Sequence, residues 1–358
     1  MARFLLLIAS AMLLSGCNLV LLNPSGDVAS QQGDLIVYAT VLMLIVILPV
    51  MALTVFFAFK YRQGNKDAAY DPEWDHSVSL EIVVWSVPMA IIVCLAGLTW
   101  VATHRLEPYN DLPRVSAETA IDPNVTPLQV QVVALDWKWL FIYPEQDIAL
   151  VNEAAVVVDR PIEWLITSDT VMNAFYVPEM AGMIYAMAGM ETELNAVMNA
   201  PGTFEGFSSN YSGNGFSQMR FDLHAMSGEE FDAWAEEVRT DTPILDTAAF
   251  EDLSQPSIDH EVTYFGAVED GLWNRILNMC TGPTDLCNND MMMVDALGGG
   301  GIDGLWNREL YRGLCSADNP EALFAIMRPD LQLQELEILQ AMARDPHAVL
   351  PSSSTQVD

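Results

Sequence analysis

The chain of 358 residues carries 48 Asp+Glu against 15 Lys+Arg, a formal charge of −33, yet 51% of it is hydrophobic and its mean hydropathy is +0.23. An anion this strong repels a phosphate backbone instead of releasing its counterions, which excludes a nucleic-acid-binding function. The apolar content excludes disorder over most of the chain, so very apolar and very acidic segments must alternate. All but three of the net negative charges lie after Ala102.

Residues 1–16 read as a secretory signal, with Arg3 as the positive end and an apolar stretch over 4–14 that is too short to span a bilayer. Leu14-Ser15-Gly16-Cys17 sets small residues before a cysteine. This order resembles the site at which bacterial lipoproteins are cleaved and acylated, which makes Cys17 the expected lipid attachment point. An ordinary signal peptide that happens to contain a cysteine is the alternative. Residues 17–34 would then be a lipidated external N-terminus. The runs 35–59 and 82–103 contain no Asp, Glu, Lys or Arg. Each exceeds the run of about 20 residues needed to cross the hydrocarbon core, so both are predicted transmembrane helices. Lys60, Arg62 and Lys66 place the 60–81 loop in the cytoplasm and both mature termini outside. Pro49 and Pro88 inside the spans point to packing against other membrane helices. Glu81 opens the second span, either as a carboxylate favoured by the helix dipole or as a proton-handling acid at the inner surface. Cys94, mid-span, reads as a small packing residue.

Residues 104–126 form a Pro- and Asp-rich external linker. Short strand-like runs bounded by turn residues follow at 128–134, 137–143, 154–158, 162–167, 193–198, 202–207 and 218–223. They predict an all-β sandwich over 127–226. Trp137, Trp139 and Phe141 share one face at period two and are expected in its core. An aromatic-containing helical segment covers 227–273, with 228–240 helix-like, and an acidic extension covers 274–358. Gly271-Leu272-Trp273-Asn274-Arg275 recurs as Gly304-Leu305-Trp306-Asn307-Arg308, but two copies are too few for a solenoid. Leu336, Leu339 and Ala343 give 331–344 an amphipathic pattern. The extension is read as a solvated tail, with a partner-docking segment as the alternative. In an oxidising compartment one disulfide is expected among the external cysteines, most simply Cys280 to Cys287, which leaves Cys315 over. His76, His104, His224, His260 and His347 lack paired ligand spacing. Met291, Met292 and Met293 are soft donors for Cu(I) or, more simply, linker.

The helix hairpin, the outward termini and the acidic external domain together resemble subunit II of the haem-copper terminal oxidases. Tyr61-Arg62-Gln63, Val83-Val84-Trp85-Ser86-Val87-Pro88, Leu106-Glu107-Pro108, Asp136-Trp137-Lys138-Trp139 and Ile184-Tyr185-Ala186-Met187-Ala188-Gly189-Met190 follow the pattern of the cytochrome o ubiquinol oxidase subunit II family. This resemblance runs from Cys17 to about Phe265. It implies a two-helix transmembrane hairpin followed by a vestigial cupredoxin-like sandwich. It also implies a place in a proton-pumping complex that oxidises ubiquinol and reduces oxygen to water in a bacterial inner membrane. The partners would be membrane lipids and subunits I, III and IV, with haem b, haem o and copper held by subunit I. Copper-bearing relatives hold a binuclear centre with two thiolates, two imidazoles and a Met, because soft sulfur suits a copper pair. Here the implied positions carry Ser208 and Ser212 for the thiolates, Asn173 and Phe216 for the imidazoles, and only Met219 matches. The chain is therefore expected to bind no metal or other cofactor, to hold no catalytic residue of its own and to have no cytochrome c partner. The resemblance also tips Glu81 toward proton uptake. Two other readings stand beside it: a lipid-anchored cupredoxin-like binding or assembly module outside an oxidase, and a menaquinol oxidase subunit.

Overall fold

The computed structural model describes residues 20–65, 73–282, 287–289 and 291–292. Cys17, Cys315, Lys66, Met293, His347, the second Gly-Leu-Trp-Asn-Arg run and the 331–344 stretch lie outside the described residues.

Two long helices, α1 (Asp27–Lys60) and α2 (Val78–Arg105), form the hairpin. At 1.5 Å per residue they are about 51 and 42 Å long, more than the ~30 Å hydrocarbon core requires. Each outruns its apolar stretch. The loop expected to reach residue 81 yields to helix at Val78, and α1 begins eight residues before its first apolar run. Those eight residues raise the start of α1 about 12 Å beyond the apolar span, far enough to enter the β domain. Along the spans Phe59, Trp85 and Trp100 are exposed, as surfaces that meet lipid or other helices must be. Cys94 is exposed on α2 and packs no interior of this chain.

The start of α1 is built into the β domain. Gly26 N–H donates to the Glu179 carbonyl at 2.7 Å, Ala29 N–H to that of Met180 at 3.2 Å, and Asn199 N–H to that of Ser25 at 2.9 Å. A Cβ on Gly26 would stand 2.6 Å from the Met180 carbonyl oxygen and 2.7 Å from that of Val197, so only glycine permits this approach. Asp27 is buried one residue later. Its Oδ2 accepts from Arg114 Nε at 2.9 Å and from Gln31 Nε2 at 2.8 Å. Upstream, a 3₁₀ turn at Val20–Leu22 doubles back along α1, and its Leu21 carbonyl oxygen lies 2.6 Å from where a Cβ on Gly33 would be.

The domain is a two-sheet sandwich. Its first ten strands are β1 (Leu128–Leu135), β2 (Lys138–Tyr143), β3 (Ile148–Val151), β4 (Glu153–Val157), β5 (Ile162–Ser168), β6 (Asn173–Tyr176), β7 (Ile184–Ala186), β8 (Thr192–Ala196), β9 (Gly202–Ser208) and β10 (Arg220–Met226). Helices α3 (Gly228–Arg239), α4 (Thr247–Ser254) and α5 (Leu272–Leu277) follow, with the short strands β11 (Ile244–Leu245), β12 (Thr263–Phe265) and β13 (Ala267–Val268) among them. The region expected to be helical over 227–273 thus also contributes strands, because β12 pairs antiparallel with β3 at a sheet edge. The expected boundary at 274 falls inside α5. One sheet has the order β12-β3-β2-β1-β5-β8 and the other β4-β10-β9-β6-β7. The pairs β1–β5 and β4–β10 run parallel and the other pairs within these two sheets antiparallel, the mixed pattern of a cupredoxin-like sandwich.

Between the sheets lie Trp139, Phe141, Trp164, Phe175 and Phe221, with Phe175 and Phe221 stacked at 5.4 Å. The outer face of the six-stranded sheet is buried too. Val133, Leu140, Ile142 and Val151 pack there against Phe250, Leu253, Phe265, Leu272 and Ile276 of the following segment. Every residue of β2 is consequently buried, so its one-face aromatic pattern does not leave the other face to water. Trp137 leaves that strand. It stands in a left-handed turn at φ 67° with its ring over Gly215.

Replacing Arg114 by Ala leaves the Asp27 carboxylate with Gln31 as its remaining side-chain partner, at a cost of about 1–3 kcal/mol because Arg114 itself is partly solvated. Thermal unfolding in detergent should register that loss, with faster proteolysis in the 104–126 linker. An unchanged transition would mean that the seam carries no stability.

Candidate functional site

Of the five positions aligned above with the ligands of copper-bearing relatives, the structure brings Asn173, Ser208 and Met219 together in one corner of the sandwich. Asn173 opens β6, Ser208 closes β9, Met219 precedes β10, and Ser212 and Phe216 lie on the loop between β9 and β10. Asn173 and Ser208 meet directly: Ser208 Oγ donates to Asn173 Oδ1 at 3.1 Å, with the Asn210 carbonyl an alternative acceptor at 3.2 Å. Asn173 Nδ2 donates to the Val171 carbonyl at 3.1 Å, and Ser208 N–H to that of Met219 at 3.3 Å. Both side chains and the Met219 thioether are buried.

Ser212 and Phe216 make their contacts elsewhere. The Ser212 carbonyl accepts from Trp137 Nε1 at 3.1 Å, while its hydroxyl is buried without a partner among the described residues. Phe216 sets its ring 5.6 Å from Tyr211. The donor set is one thioether, two hydroxyls and an amide, and the amide and one hydroxyl already satisfy each other. Neutral oxygen donors of this kind do not replace bridging thiolates for a copper pair, and a lone thioether does not hold the ion. The chemistry of this corner is a hydrogen-bonded protein core.

Beside it lies a charged cluster that sequence reasoning missed. Lys138 is buried on β2, where Nζ donates to the Gln255 carbonyl at 2.8 Å and to Ser257 Oγ at 2.7 Å. Burial pushes its pKa below the usual lysine range, while Asp136 and Asp169 pull the other way. Asp169 is pushed above the usual carboxylate range by burial and by Asp136, against the opposing pull of Lys138. A lysine between two tryptophans in a strand was the available signal. Its partners lie more than a hundred residues downstream, where no local pattern reaches.

Glu81 lies at the other end of α2, about 36 Å along the helix from Arg105. It is in the first turn, its N–H donating to the Ser77 carbonyl at 3.0 Å, and its Oε1 lies 2.7 Å from His76 Nδ1. His76 was read only as an isolated histidine. Helix geometry brings it to Glu81, because the extended residue at the helix start turns back over the first turn. Cys280 and Cys287 are joined as a disulfide. That link sits over Gly189, where a Cβ would come within 2.8 Å of Asn288 Nδ2, and it is not part of the Asn173–Ser208 corner. Trp273 of the first Gly-Leu-Trp-Asn-Arg run donates from Nε1 to Glu191 Oε2 at 3.0 Å.

Comparison with known proteins gives the following likenesses. Residues 239–284 match the family model described as the COX Aromatic Rich Motif, the segment that covers the outer sheet face. Ubiquinol oxidase subunit 2 of Acetobacter aceti is 46% identical over 291 residues, 81% of this chain and 90% of that protein. Cytochrome bo(3) ubiquinol oxidase subunit 2 of Pseudomonas putida is 46% identical over 271 residues, 76% of this chain and 83% of that protein. The solved periplasmic domain of subunit II of cytochrome oxidase from Bradyrhizobium japonicum is 22% identical with a TM-score of 0.31, covering 33% of this chain and 96% of that one.

Because the folded pKa of Asp169 lies above its unfolded value of 3.8, the native state binds that proton more tightly. The contribution of this group to stability is therefore largest at acid pH and falls as pH rises from 3.8 through the folded value. Asp169→Asn should remove that part of the pH profile. Unfolding of both proteins across a pH series checks it, and superimposable profiles would contradict the assignment.

Proposed function

The chain belongs to the subunit 2 family of ubiquinol oxidases, and from that premise we propose that it is the redox-silent subunit of a proton-pumping complex in a bacterial inner membrane. The observation that carries the redox-silent part is the Ser208–Asn173 hydrogen bond at the ligand corner, where soft copper ligands would be required. Electrons from ubiquinol then enter the complex at subunit I, whose haem b, haem o and copper supply oxygen reduction. Subunits III and IV complete the assembly, and cytochrome c has no role as donor.

Three tasks remain for this chain. The hairpin braces subunit I in the membrane, the sandwich caps it outside, and Glu81 with His76 gathers protons at the cytoplasmic end. The last reading rests on the 2.7 Å contact, which sets a carboxylate against an imidazole at the end of the helix pair. Acylation of Cys17 is supported by the backward turn at Val20–Leu22. That turn returns the chain to the level of Gly33, next to the start of the apolar span and three residues from Cys17.

Purification from detergent by a tag on this chain tests the assignment. Recovery with haem and ubiquinol:oxygen activity is the expected result, and recovery as a haem-free single chain would overturn it. In the same preparation Glu81→Gln should lower oxygen consumption several-fold with haem content unchanged, and His76→Ala should lower it as well. Full activity in both variants would remove the proton-uptake role while leaving the subunit assignment intact.

A further inference from the structure

Where the hairpin meets the sandwich, a cavity of about 560 Å³ is lined by Gln32, Arg105, Glu107, Asp111 and Asn195. A second cavity of about 440 Å³ shares Gln31, Arg105, Leu106 and Arg114 with it and continues between the helices past Asp34, Leu35, Tyr38, Gly97, Leu98 and Val101. Together they make one groove, polar at the level of the helix ends and apolar below. Its apolar part starts at Leu35, the first residue of the first charge-free run, so the change of character falls at the outer membrane–water boundary.

Charge is sorted along this groove. Arg114 is committed to Asp27, whereas the Arg105 guanidinium makes no hydrogen bond or ion pair among the described residues. Glu107 and Asp111 line the first cavity and Asp34 the second, and Arg105 lines both. One free guanidinium suits a phosphate, and three carboxylates around it repel a head group of net negative charge while attracting an ammonium. Below, Gly97 stands about 12 Å along α2 from Arg105, and a Cβ placed on it meets nothing within 4 Å. The missing side chain leaves a slot in the groove wall at this level.

We propose that this groove holds a phospholipid bearing a primary ammonium, its phosphate on Arg105, its ammonium among Asp34, Glu107 and Asp111, and one acyl chain in the slot at Gly97. The lipid would fill the wedge between hairpin and sandwich and fix the angle at which the domain stands on the membrane. This inference rests on the membrane reading given above.

The test counts phospholipids retained by the detergent-purified complex, using native mass spectrometry with extraction and head-group analysis. Phosphatidylethanolamine should be retained by the wild type and by Arg105→Lys. Arg105→Gln should weaken its retention about tenfold, as expected for losing one charge-assisted contact. Gly97→Leu, which enters open space, should displace it. Retention in both Arg105→Gln and Gly97→Leu, its absence from the wild type, or equal retention of phosphatidylglycerol would overturn the proposal. Haem content of the same samples reports the oxidase assignment separately, so a failed lipid site and a failed assignment give different results.

Discussion

The fold depends on one seam, where the first turn of a membrane helix is taken into the edge of a β-sandwich. Gly26 lets two backbones touch, and Asp27 is buried immediately after it against Arg114. A buried carboxylate needs a partner, since unpaired it would carry most of its desolvation penalty. That requirement ties the 104–126 linker, through Arg114, to Asp27 at the start of a helix 87 residues earlier. With the seam closed, the sandwich cannot swing freely on its linker. The helix ends, the linker and the sandwich edge become one wall around the groove at Arg105.

The aromatic segment after the sandwich is a second constraint of the same kind. An isolated cupredoxin-like sandwich would leave one face of each sheet to water. Here Phe250, Phe265, Leu272 and Ile276 cover the outside of the larger sheet, so β2 is buried throughout. A covered sheet can hold an ion only if the ion is bonded. Lys138 meets that condition through Gln255 and Ser257, which lie in the covering segment itself.

The hairpin was legible because runs of 25 and 22 uncharged residues have few alternatives in a folded chain. Its ends were not, because residues 27–34 are polar and owe their helical state to docking. Strands of five residues or more, such as β1, β5, β9 and β10, were legible from turn punctuation and alternation. β3, β6, β7 and β12 were not: three or four residues are too few to show a period, and β3 is buried on both faces with no alternation to read. At the ligand corner the replacements Ser208, Ser212, Asn173 and Phe216 could be named from the resemblance. Only the coordinates bring Ser208 and Asn173 into contact and send Ser212 and Phe216 to other partners. The pairings Glu81–His76 and Asp27–Arg114 arise from helix geometry and chain reversal, which leave no local mark.

An acidic external domain on an oxidase subunit invites the inference of a basic protein donor. The ligand corner argues otherwise, since attraction without a redox centre delivers no electron. Oxygen consumption by the purified complex, supplied with either ubiquinol or reduced cytochrome c as sole donor, tests this most directly. Turnover with ubiquinol and only background with cytochrome c is the expected result. Comparable turnover with cytochrome c would contradict it, because that route needs an electron carrier in the domain where Ser208 and Asn173 bond to each other.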